Sequence, residues 1–292
     1  MSNIAKIIFT MTNSKELFNE LVSRITLPED KPEIQSIVYL LLNKRLGLTK
    51  TEIWAGKAIS SVDPTFFNAE IEKLNNQVPI QYVLGETEFY GRIFNVNPSV
   101  LIPRPETELL VQEIKTELLK QAIPSPKIVD IGTGSGCIAI TLALEISQAQ
   151  VQATDVSEEA IHTAEQNKNA LGAHVKFHAH NVLTDKITFG KFDVMVSNPP
   201  YIAEYEKATM KNNVVAHEPH LALFAPANDP LAFYKAIASK GKSNLFQGGS
   251  VWVEINENFG KEVVAIFIEH GYHAIRILKD LDNKDRMVTA KL

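Results

Sequence analysis

One stretch of ten residues decides the fold: residues 127–136 are Lys-Ile-Val-Asp-Ile-Gly-Thr-Gly-Ser-Gly. The first half is an apolar run interrupted only by Asp130, which is typical of a strand buried in a parallel sheet. The second half alternates glycine with small polar residues, and glycine lets a backbone turn sharply and approach a ligand closely. An apolar helical pattern begins at Cys137. The stretch therefore predicts a strand, a tight turn and a helix, with a ligand site at the carboxyl end of the strand.

The sequence around this stretch alternates between strand-like and helix-like patterns, as parallel βαβ units do. A helix is predicted over residues 106–121, just ahead of the glycine-rich turn. Strands are predicted over residues 127–131, 151–156, 175–180, 192–197, 250–255, 274–278 and 287–290. The predicted fold class is α/β, with a doubly wound sheet.

The first 85 residues differ, because their apolar residues recur at helical spacing between capping and turn signals. They predict a small all-α domain. Residues 86–102 are rich in β-prone side chains, with Gly91 as a turn signal, and predict a β-hairpin that links this domain to a catalytic domain over residues 103–292. Because Met11 precedes polar residues and a clear helix, we expect the first ten residues to be an extension ahead of the native start.

The bulk composition narrows the class of protein. A chain of 292 residues is long enough for two domains, and 45% hydrophobic with 22% charged residues is typical of globular proteins. The net charge of −5 gives no basic footprint for a phosphate backbone, and the single cysteine cannot form an internal disulfide. No run reaches the roughly 20 apolar residues of a membrane span. We expect a cytoplasmic monomer with no membrane association and no stable nucleic-acid partner.

Two ligands compete for the glycine-rich turn. A dinucleotide needs glycines spaced G-x-G-x-x-G, with its pyrophosphate on the helix N-terminus, but here the third glycine comes one residue early. S-adenosylmethionine instead carries an ammonium and a sulfonium, which suit the acidic Asp130 two residues before the first glycine. Asp155 lies nineteen residues after Gly136, near the spacing at which an acidic side chain reaches ribose hydroxyls. The sequence therefore favours S-adenosylmethionine, with a ligand-free turn as the alternative.

The residues after the fourth predicted strand carry the chemistry: Asn198, Pro199, Pro200 and Tyr201. The two prolines fix φ and lack N–H groups, so this stiff segment offers mainly acceptors, to which the Asn198 side-chain carbonyl adds another. Such acceptors can receive both hydrogens of a planar –NH₂ group and aim its nitrogen at a sulfonium methyl, while Tyr201 offers a ring for stacking. The segment predicts N-methylation of an amide-like nitrogen by these four residues. The alternative is a proline-rich turn that only ends a strand.

Together these residues resemble the PrmC (HemK) family, the protein-(glutamine-N5) methyltransferases of class I peptide chain release factors. The similarity extends over nearly the whole chain from about residue 15. It includes three further segments, Gln-Tyr-Val-Leu-Gly at 81–85, Glu-Phe-Tyr-Gly at 88–91 and Ile-Pro-Arg-Pro-Glu-Thr-Glu at 102–108. The resemblance implies a class I, Rossmann-like methyltransferase sheet of seven strands with the last one reversed. It also implies an N-terminal domain that docks the release factor, S-adenosylmethionine as cofactor, and the glutamine of a Gly-Gly-Gln motif as acceptor.

The resemblance also assigns residues to the site. Asn198 to Tyr201 would hold the glutamine amide. The cofactor would be bound by Asp130, Gly132, Thr133, Gly134, Ser135, Gly136, Asp155, Asn181, Val182, Asn198, Arg104, Pro105 and Thr107.

Four positions depart from the family pattern. Asn181 replaces an aspartate and Val182 an aromatic residue at the adenine edge, while Asn256 and Phe259 replace a glycine and a glutamine after Glu254. We expect these changes to tune affinity rather than to abolish activity.

Other interpretations of single residues are weaker. His178 and His180 share a strand face but lack a convincing third metal ligand, so we expect ordinary surface or edge histidines and no metal site. Cys137 is expected to be a small buried hydrophobe. Glu218 and Glu254 are expected to have structural or cofactor-loop roles, since methyl transfer to an amide needs no strong base.

Two rival functions remain at this point. Asn-Pro-Pro-Tyr also serves enzymes that methylate an exocyclic amine of a nucleic-acid base, which need a basic groove. A non-catalytic adenosine-binding module would keep the glycine-rich turn but would not need the stiff tetrapeptide.

Overall fold

The computed structural model describes residues 11–292, and the expected extension ahead of Met11 lies outside the described residues. The chain divides into two compact units. The helical unit contains the described residues up to Gly85 together with Asn212–His217, and the sheet unit contains Glu86–Lys211 and Glu218–Leu292. No helix within the described part of the chain is long and apolar enough to cross a membrane.

The helical unit is mostly α-helical. Its elements are β1 (Met11–Asn13), α1 (Ser14–Arg24), α2 (Lys31–Leu46), α3 (Lys50–Trp54), β2 (Ala58–Val62), a 3-10 helix (Pro64–Phe67), α4 (Asn68–Asn75), α5 (Ile80–Leu84) and α9 (Asn212–His217). The expectation of an all-α domain is wrong, because β1 and β2 pair as an antiparallel sheet in which Met11 lies opposite Val62. Strands this short carry no alternating pattern that would have revealed them.

The sheet unit holds the remaining elements. They are β3 (Glu86–Phe89), β4 (Arg92–Asn95), α6 (Pro105–Gln121), β5 (Lys127–Ile131), α7 (Cys137–Glu145), β6 (Gln150–Asp155), α8 (Glu158–Leu171), β7 (Val175–Ala179), β8 (Phe192–Ser197), a 3-10 helix (Glu204–Thr209), α10 (His220–Leu223), α11 (Ala232–Asn244), β9 (Leu245–Glu254), α12 (Gly260–Glu269), β10 (His273–Lys279) and β11 (Asp285–Lys291).

Seven of these strands form one sheet in the order β10-β11-β9-β8-β5-β6-β7. The neighbours from β9 to β7 run parallel, whereas β11 is antiparallel to both β9 and β10. This topology confirms the predicted doubly wound α/β fold and the reversed last strand. The chain leaves β5 toward β7 and then returns to β8, so the order reverses between β5 and β8. A ligand is expected at the carboxyl ends of these two strands.

Alternate residues of the central strand face opposite layers of the core, as the strand period of two requires. Ile128 belongs to the apolar cluster that includes residues of α6 and α7, and Val129 to the cluster that includes residues of α11 and α12. The apolar pattern of β5 therefore records burial on both faces.

The hairpin β3–β4 is part of the sheet unit and not a separate linker between the units. Phe89 and Phe94 are fully buried in the cluster that contains α6, with their rings edge to face at 6.0 Å. The hairpin is therefore fixed to the sheet unit by its own side chains.

Candidate active site

The glycine-rich turn between β5 and α7 uses its three glycines in two ways. Gly132, Gly134 and Gly136 all have positive φ, at 73°, 54° and 81°, where other residues are strained. The space in front of the first two is open, and both line a cavity. A Cβ at Gly136 would instead lie 2.8 Å from the Ile140 Cδ1 atom and 3.1 Å from the Ala164 Cβ atom. The first two glycines open the turn to a ligand, and the third lets α7 pack closely against α8.

The cavity lies at the carboxyl ends of β5, β6 and β8 and has a volume of about 350 Å³. This volume is within the usual range of small-molecule sites. Of the residues assigned to the site from the sequence, those on its wall are Arg104, Thr107, Gly132, Thr133, Gly134, Ser135, Asp155, Asn181, Val182, Asn198, Pro199 and Pro200. Pro105, Asp130, Gly136 and Tyr201 do not line the cavity.

Asp130 lies behind the turn, fully buried. Its Oδ2 atom accepts a hydrogen bond of 2.7 Å from the Thr133 hydroxyl, while Oδ1 has no hydrogen-bond partner among the described residues. Burial raises the pKa of Asp130 to about 7, and the Thr133 hydrogen bond opposes that shift. An incompletely satisfied buried carboxyl next to a cavity is suited to a positively charged ligand.

Asp155 ends β6 and lies on the cavity wall. Its Oδ2 atom accepts from the Gly134 backbone N–H at 2.8 Å, and Oδ1 accepts from the Ser157 N–H at 3.0 Å. Burial raises the pKa of this carboxyl, and the backbone hydrogen bonds oppose the shift. A carboxylate held in this way still has lone pairs for the hydroxyl groups of a ribose.

The residues at the expected adenine edge follow β7. The Asn181 Oδ1 atom accepts from the Leu183 N–H at 3.0 Å, so one lone pair of this oxygen is already used. Val182 is almost fully buried in the cluster that contains α11. Both residues that depart from the family pattern line the cavity wall.

The two histidines of this region differ in their surroundings. The His178 ring bonds the Gln152 Oε1 atom at 2.8 Å and stacks on Phe189 at 4.2 Å, on the edge strand β7. His180 directly follows the edge strand β7 but is buried, and it has no hydrogen-bond partner for either ring nitrogen among the described residues. Burial lowers the pKa of His180, which favours the neutral form of its ring. The described part of the chain contains no group of three or more His, Cys, Asp or Glu side chains that could hold a metal ion.

The tetrapeptide after β8 is anchored at both ends. The Asn198 Nδ2 atom donates to the Thr107 hydroxyl at 3.2 Å, and the Thr107 hydroxyl donates to the Glu254 Oε2 atom at 2.7 Å. The Tyr201 hydroxyl donates to the Glu254 Oε1 atom at 3.1 Å. Pro199 and Pro200 lie between these anchors, on the cavity wall. The Tyr201 ring packs against the core cluster that contains α11 and does not line the cavity, and the stacking role predicted for it stays a prediction.

Two further contacts hold loops around the cavity. Buried Glu218 bonds the Arg104 guanidinium at 2.5 Å and accepts from the Ile102 N–H at 3.3 Å. The Asn256 Nδ2 atom donates to both carboxylate oxygens of Glu206, at 3.2 and 3.0 Å, and so ties the segment after the tetrapeptide to the end of β9. Glu218 is therefore placed for a structural role.

Several wall residues were not identified from the sequence. Phe233 and Ile237 project one turn apart from α11, and Leu221 and Ala222 come from α10. Helical spacing marks such residues as apolar but does not distinguish a cavity wall from a packed core.

Comparison with known proteins places the chain in a family. A protein from Bacteroides thetaiotaomicron named release factor glutamine methyltransferase is 41% identical over 261 residues, which cover 88% of this chain and 92% of the relative. The chain belongs to the release factor glutamine methyltransferase family. A second member, from Flavobacterium psychrophilum, is 40% identical over 262 residues, or 89% of this chain and 92% of that protein.

Two further comparisons concern the methyltransferase domain and its fold. The family described as methyltransferase small domain matches residues 105–222. The crystal structure of a methyltransferase from Pyrococcus furiosus shares the fold, with a TM-score of 0.51 and 18% identity, over 77% of this chain and 98% of that one. The sheet unit thus shares its fold with a methyltransferase of much lower sequence identity.

Proposed function

We propose that this chain transfers the methyl group of S-adenosylmethionine to the side-chain amide nitrogen (N5) of the glutamine in the Gly-Gly-Gln motif of class I peptide chain release factors. One observation carries the proposal: Asn198, Pro199 and Pro200 line the same cavity as the glycine-rich turn. A cofactor held by the turn and an amide held by the tetrapeptide would therefore meet in one space. The names of the relatives supply the substrate class.

The residues present fit the cofactor. The open backbone of the turn from Gly132 to Ser135, backed by the carboxyl of Asp130, suits the methionine end with its ammonium group. Asp155 suits the ribose hydroxyls. On the cavity wall, Asn181 and Val182 would border the adenine, and Arg104 and Thr107 the methionine, while Pro105 lies behind the wall. When bound, S-adenosylmethionine supplies a methyl group activated by the sulfonium.

The tetrapeptide compensates for the weakness of an amide nitrogen as a nucleophile. Its lone pair is delocalised into the carbonyl group, and acceptors that bind both N–H hydrogens return electron density to the nitrogen. Asn198 Oδ1 and the proline segment supply acceptors but no competing backbone donor. Holding the nitrogen about 3–3.5 Å from the methyl carbon removes an entropic barrier. Formation of the N–C bond would break the C–S bond, so that the thioether form of the cofactor leaves, and the proton lost by the amide would pass to water.

A covalent protein intermediate is not part of this scheme. Cys137, on the cavity wall, is buried and its pKa is raised to about 12, so its thiol stays protonated. The transfer is direct, from the sulfonium to the amide nitrogen.

The rest of the chain fits a protein substrate. The two glycines before the glutamine would make a tip slim enough to enter the cavity, and the helical unit would dock the body of the release factor. We also propose that the protein acts as a monomer in the cytoplasm, without a stable nucleic-acid partner.

Mass spectrometry of a release factor incubated with the protein and isotope-labelled S-adenosylmethionine tests the proposal, with structured RNA as a parallel substrate. We expect one labelled methyl group on the Gly-Gly-Gln glutamine. In Asn198→Ala the rate should fall by on the order of 10²–10³-fold, as is typical for one preorganised polar contact. Asn169→Ala, the same change on the exposed surface of α8, should keep the wild-type rate.

The other outcomes separate the rival functions. Label in RNA alone would support methylation of a base amine and overturn the protein substrate. Cofactor binding without label in either substrate would support an adenosine-binding module.

A further inference from the structure

We propose that Glu254 is a positioning residue that fixes the orientation of the Asn198 carboxamide through Thr107. This inference rests on the proposed function, because it explains how the amide acceptor is kept facing its substrate. Glu254 ends β9, and its residue is only 1% exposed. It does not line the cavity, so it acts through other groups and does not touch the substrate.

The direction of the hydrogen bonds follows from the chemistry of a carboxylate, which only accepts. The Thr107 hydroxyl has one hydrogen, and it is donated to the Glu254 Oε2 atom at 2.7 Å. The same hydroxyl oxygen can then only accept from Asn198, which it does from Nδ2 at 3.2 Å. The NH₂ end of the Asn198 amide is thereby assigned to Thr107, and the Oδ1 end is left as the acceptor for a ligand.

The orientation of this amide decides whether the site works. If the Asn198 side chain turned by 180°, an NH₂ group would meet the NH₂ group of the substrate glutamine, and two donors would face each other. The two ends of an amide have nearly the same shape, so packing alone distinguishes them poorly. A polar partner of fixed direction is therefore needed, and the chain from Glu254 through Thr107 provides one.

The same carboxylate also holds the far end of the tetrapeptide. Its Oε1 atom accepts from the Tyr201 hydroxyl at 3.1 Å. Both oxygens are thus occupied, each by one hydroxyl, which offsets part of the cost of burying the group. Burial raises the pKa of Glu254, and the two hydroxyl donors oppose the shift.

The test compares initial rates on a release factor, together with cofactor affinity, in four single variants and one double variant. Thr107→Val and Glu254→Gln should each lower kcat by at least about tenfold, because each removes the fixed direction of the hydrogen bonds that orient the Asn198 amide. Thr107→Ser keeps the hydroxyl and should recover most of the lost rate. Thr116→Val makes the same change on the same helix, where the hydroxyl bonds only residues of α6, and should have the wild-type kcat.

The double variant Thr107→Val/Glu254→Gln provides the deciding readout. Both residues act through the same chain of hydrogen bonds. The kcat of the double variant should therefore be no lower than that of the slower single variant. Losses that multiply, or a Thr107→Ser variant as slow as Thr107→Val, would indicate independent structural damage and overturn the positioning role. If Glu254→Gln does not fold, the comparison of Thr107→Val with Thr107→Ser decides the question.

The wild-type rate separates this inference from the proposed function. If the wild-type protein methylates the release factor but Thr107→Val keeps its kcat within about twofold, the inference fails and the proposed function stands. If the wild-type protein leaves the release factor unmodified, the proposed function itself fails.

Discussion

Asn167 donates a hydrogen bond of 2.9 Å to the backbone carbonyl of Ser135 in the glycine-rich turn. The same side chain is fully buried. Its other amide hydrogen and its oxygen bond the backbone of Asn95 at the end of the hairpin. Its Oδ1 atom accepts from the Asn95 N–H at 2.7 Å, and Nδ2 donates to the Asn95 carbonyl at 3.0 Å. One residue of α8 therefore joins the end of β4 to the turn.

Asn167→Ala should lower both stability and cofactor affinity. It leaves the buried Ser135 carbonyl without its side-chain donor and removes both bonds to the Asn95 backbone, so we expect a loss of about 2 kcal/mol in the free energy of unfolding. It also releases the turn, and the Kd for S-adenosylmethionine should rise about tenfold because the loop must be ordered on binding. Denaturant unfolding and calorimetric titration measure the two effects. Asn169→Ala on the same helix is the control, and an unchanged Kd in Asn167→Ala would show that the turn holds its shape unaided.

Gly136→Ala should destabilise the protein more than its backbone angle explains. Positive φ alone costs about 1–2 kcal/mol for a residue with a Cβ. The clash with Ile140 and Ala164 should add about 1–3 kcal/mol of overpacking. Gly172→Ala isolates the first effect, because Gly172 has a φ of 68° and open space around it. Equal losses of unfolding free energy in the two variants would contradict the packing role of Gly136.

Binding of S-adenosylmethionine should release protons near neutral pH. Without ligand, the raised pKa of about 7 keeps a substantial fraction of Asp130 protonated there. An ammonium group nearby favours the carboxylate and lowers this pKa, so affinity should rise with pH through about 7 and then level off. Calorimetry in two buffers of different ionisation enthalpy measures the protons released. Asp130→Asn should release fewer; equal release in both proteins would place the ammonium away from Asp130.

The effect of pH on stability has the opposite sign. The fold holds the Asp130 proton more tightly than the unfolded chain does. The stabilising contribution of this group is therefore complete below its ordinary pKa of 3.8 and is lost as pH rises through about 7. In Asp130→Asn this part of the pH dependence of Tm should be absent in the cofactor-free protein.

The ion pair between Arg104 and Glu218 predicts that replacing Glu218 partly restores the stability lost when Arg104 is replaced. Arg104→Ala leaves the buried Glu218 carboxylate without its counter-charge, which should cost about 3 kcal/mol of unfolding free energy. Glu218→Gln in the same background removes the unpaired charge and should restore part of that loss. Thermal unfolding of the two proteins checks this. A further loss in the double variant would mean that Glu218 stabilises the loop mainly through the Ile102 N–H.

The central strands of the large sheet could be predicted because they are mostly buried apolar runs, whereas the edge strands β7 and β10 are largely exposed or half-buried and were marked by β-prone residues between turn signals. The structure extends β9 upstream to Leu245, whereas the predicted strand began at Ser250. Gly248 and Gly249 in this part are unfavourable for strands and hid the extension. The sheet formed by β1 and β2 was missed because its pairing depends on contacts between distant short segments.

The cavity wall was predicted better than the hydrogen bonds behind it. The glycine-rich turn and the tetrapeptide are contiguous motifs, so their residues are visible in the sequence. Thr107 and Asn198 are 91 residues apart, and only the fold brings them together. One signal for Glu254 was available, since a charged residue at the end of the apolar run Val251-Trp252-Val253 must have buried partners.

The short helix α9 comes from the middle of the catalytic sequence but belongs to the helical unit, where the His217 ring bonds the Asn76 carbonyl at 3.0 Å. The helical unit is therefore encoded by two separate stretches of the gene. A chimaera that exchanged only the first 85 residues with those of a relative would combine a foreign scaffold with the original α9. Domain swaps in this family should transfer both stretches together.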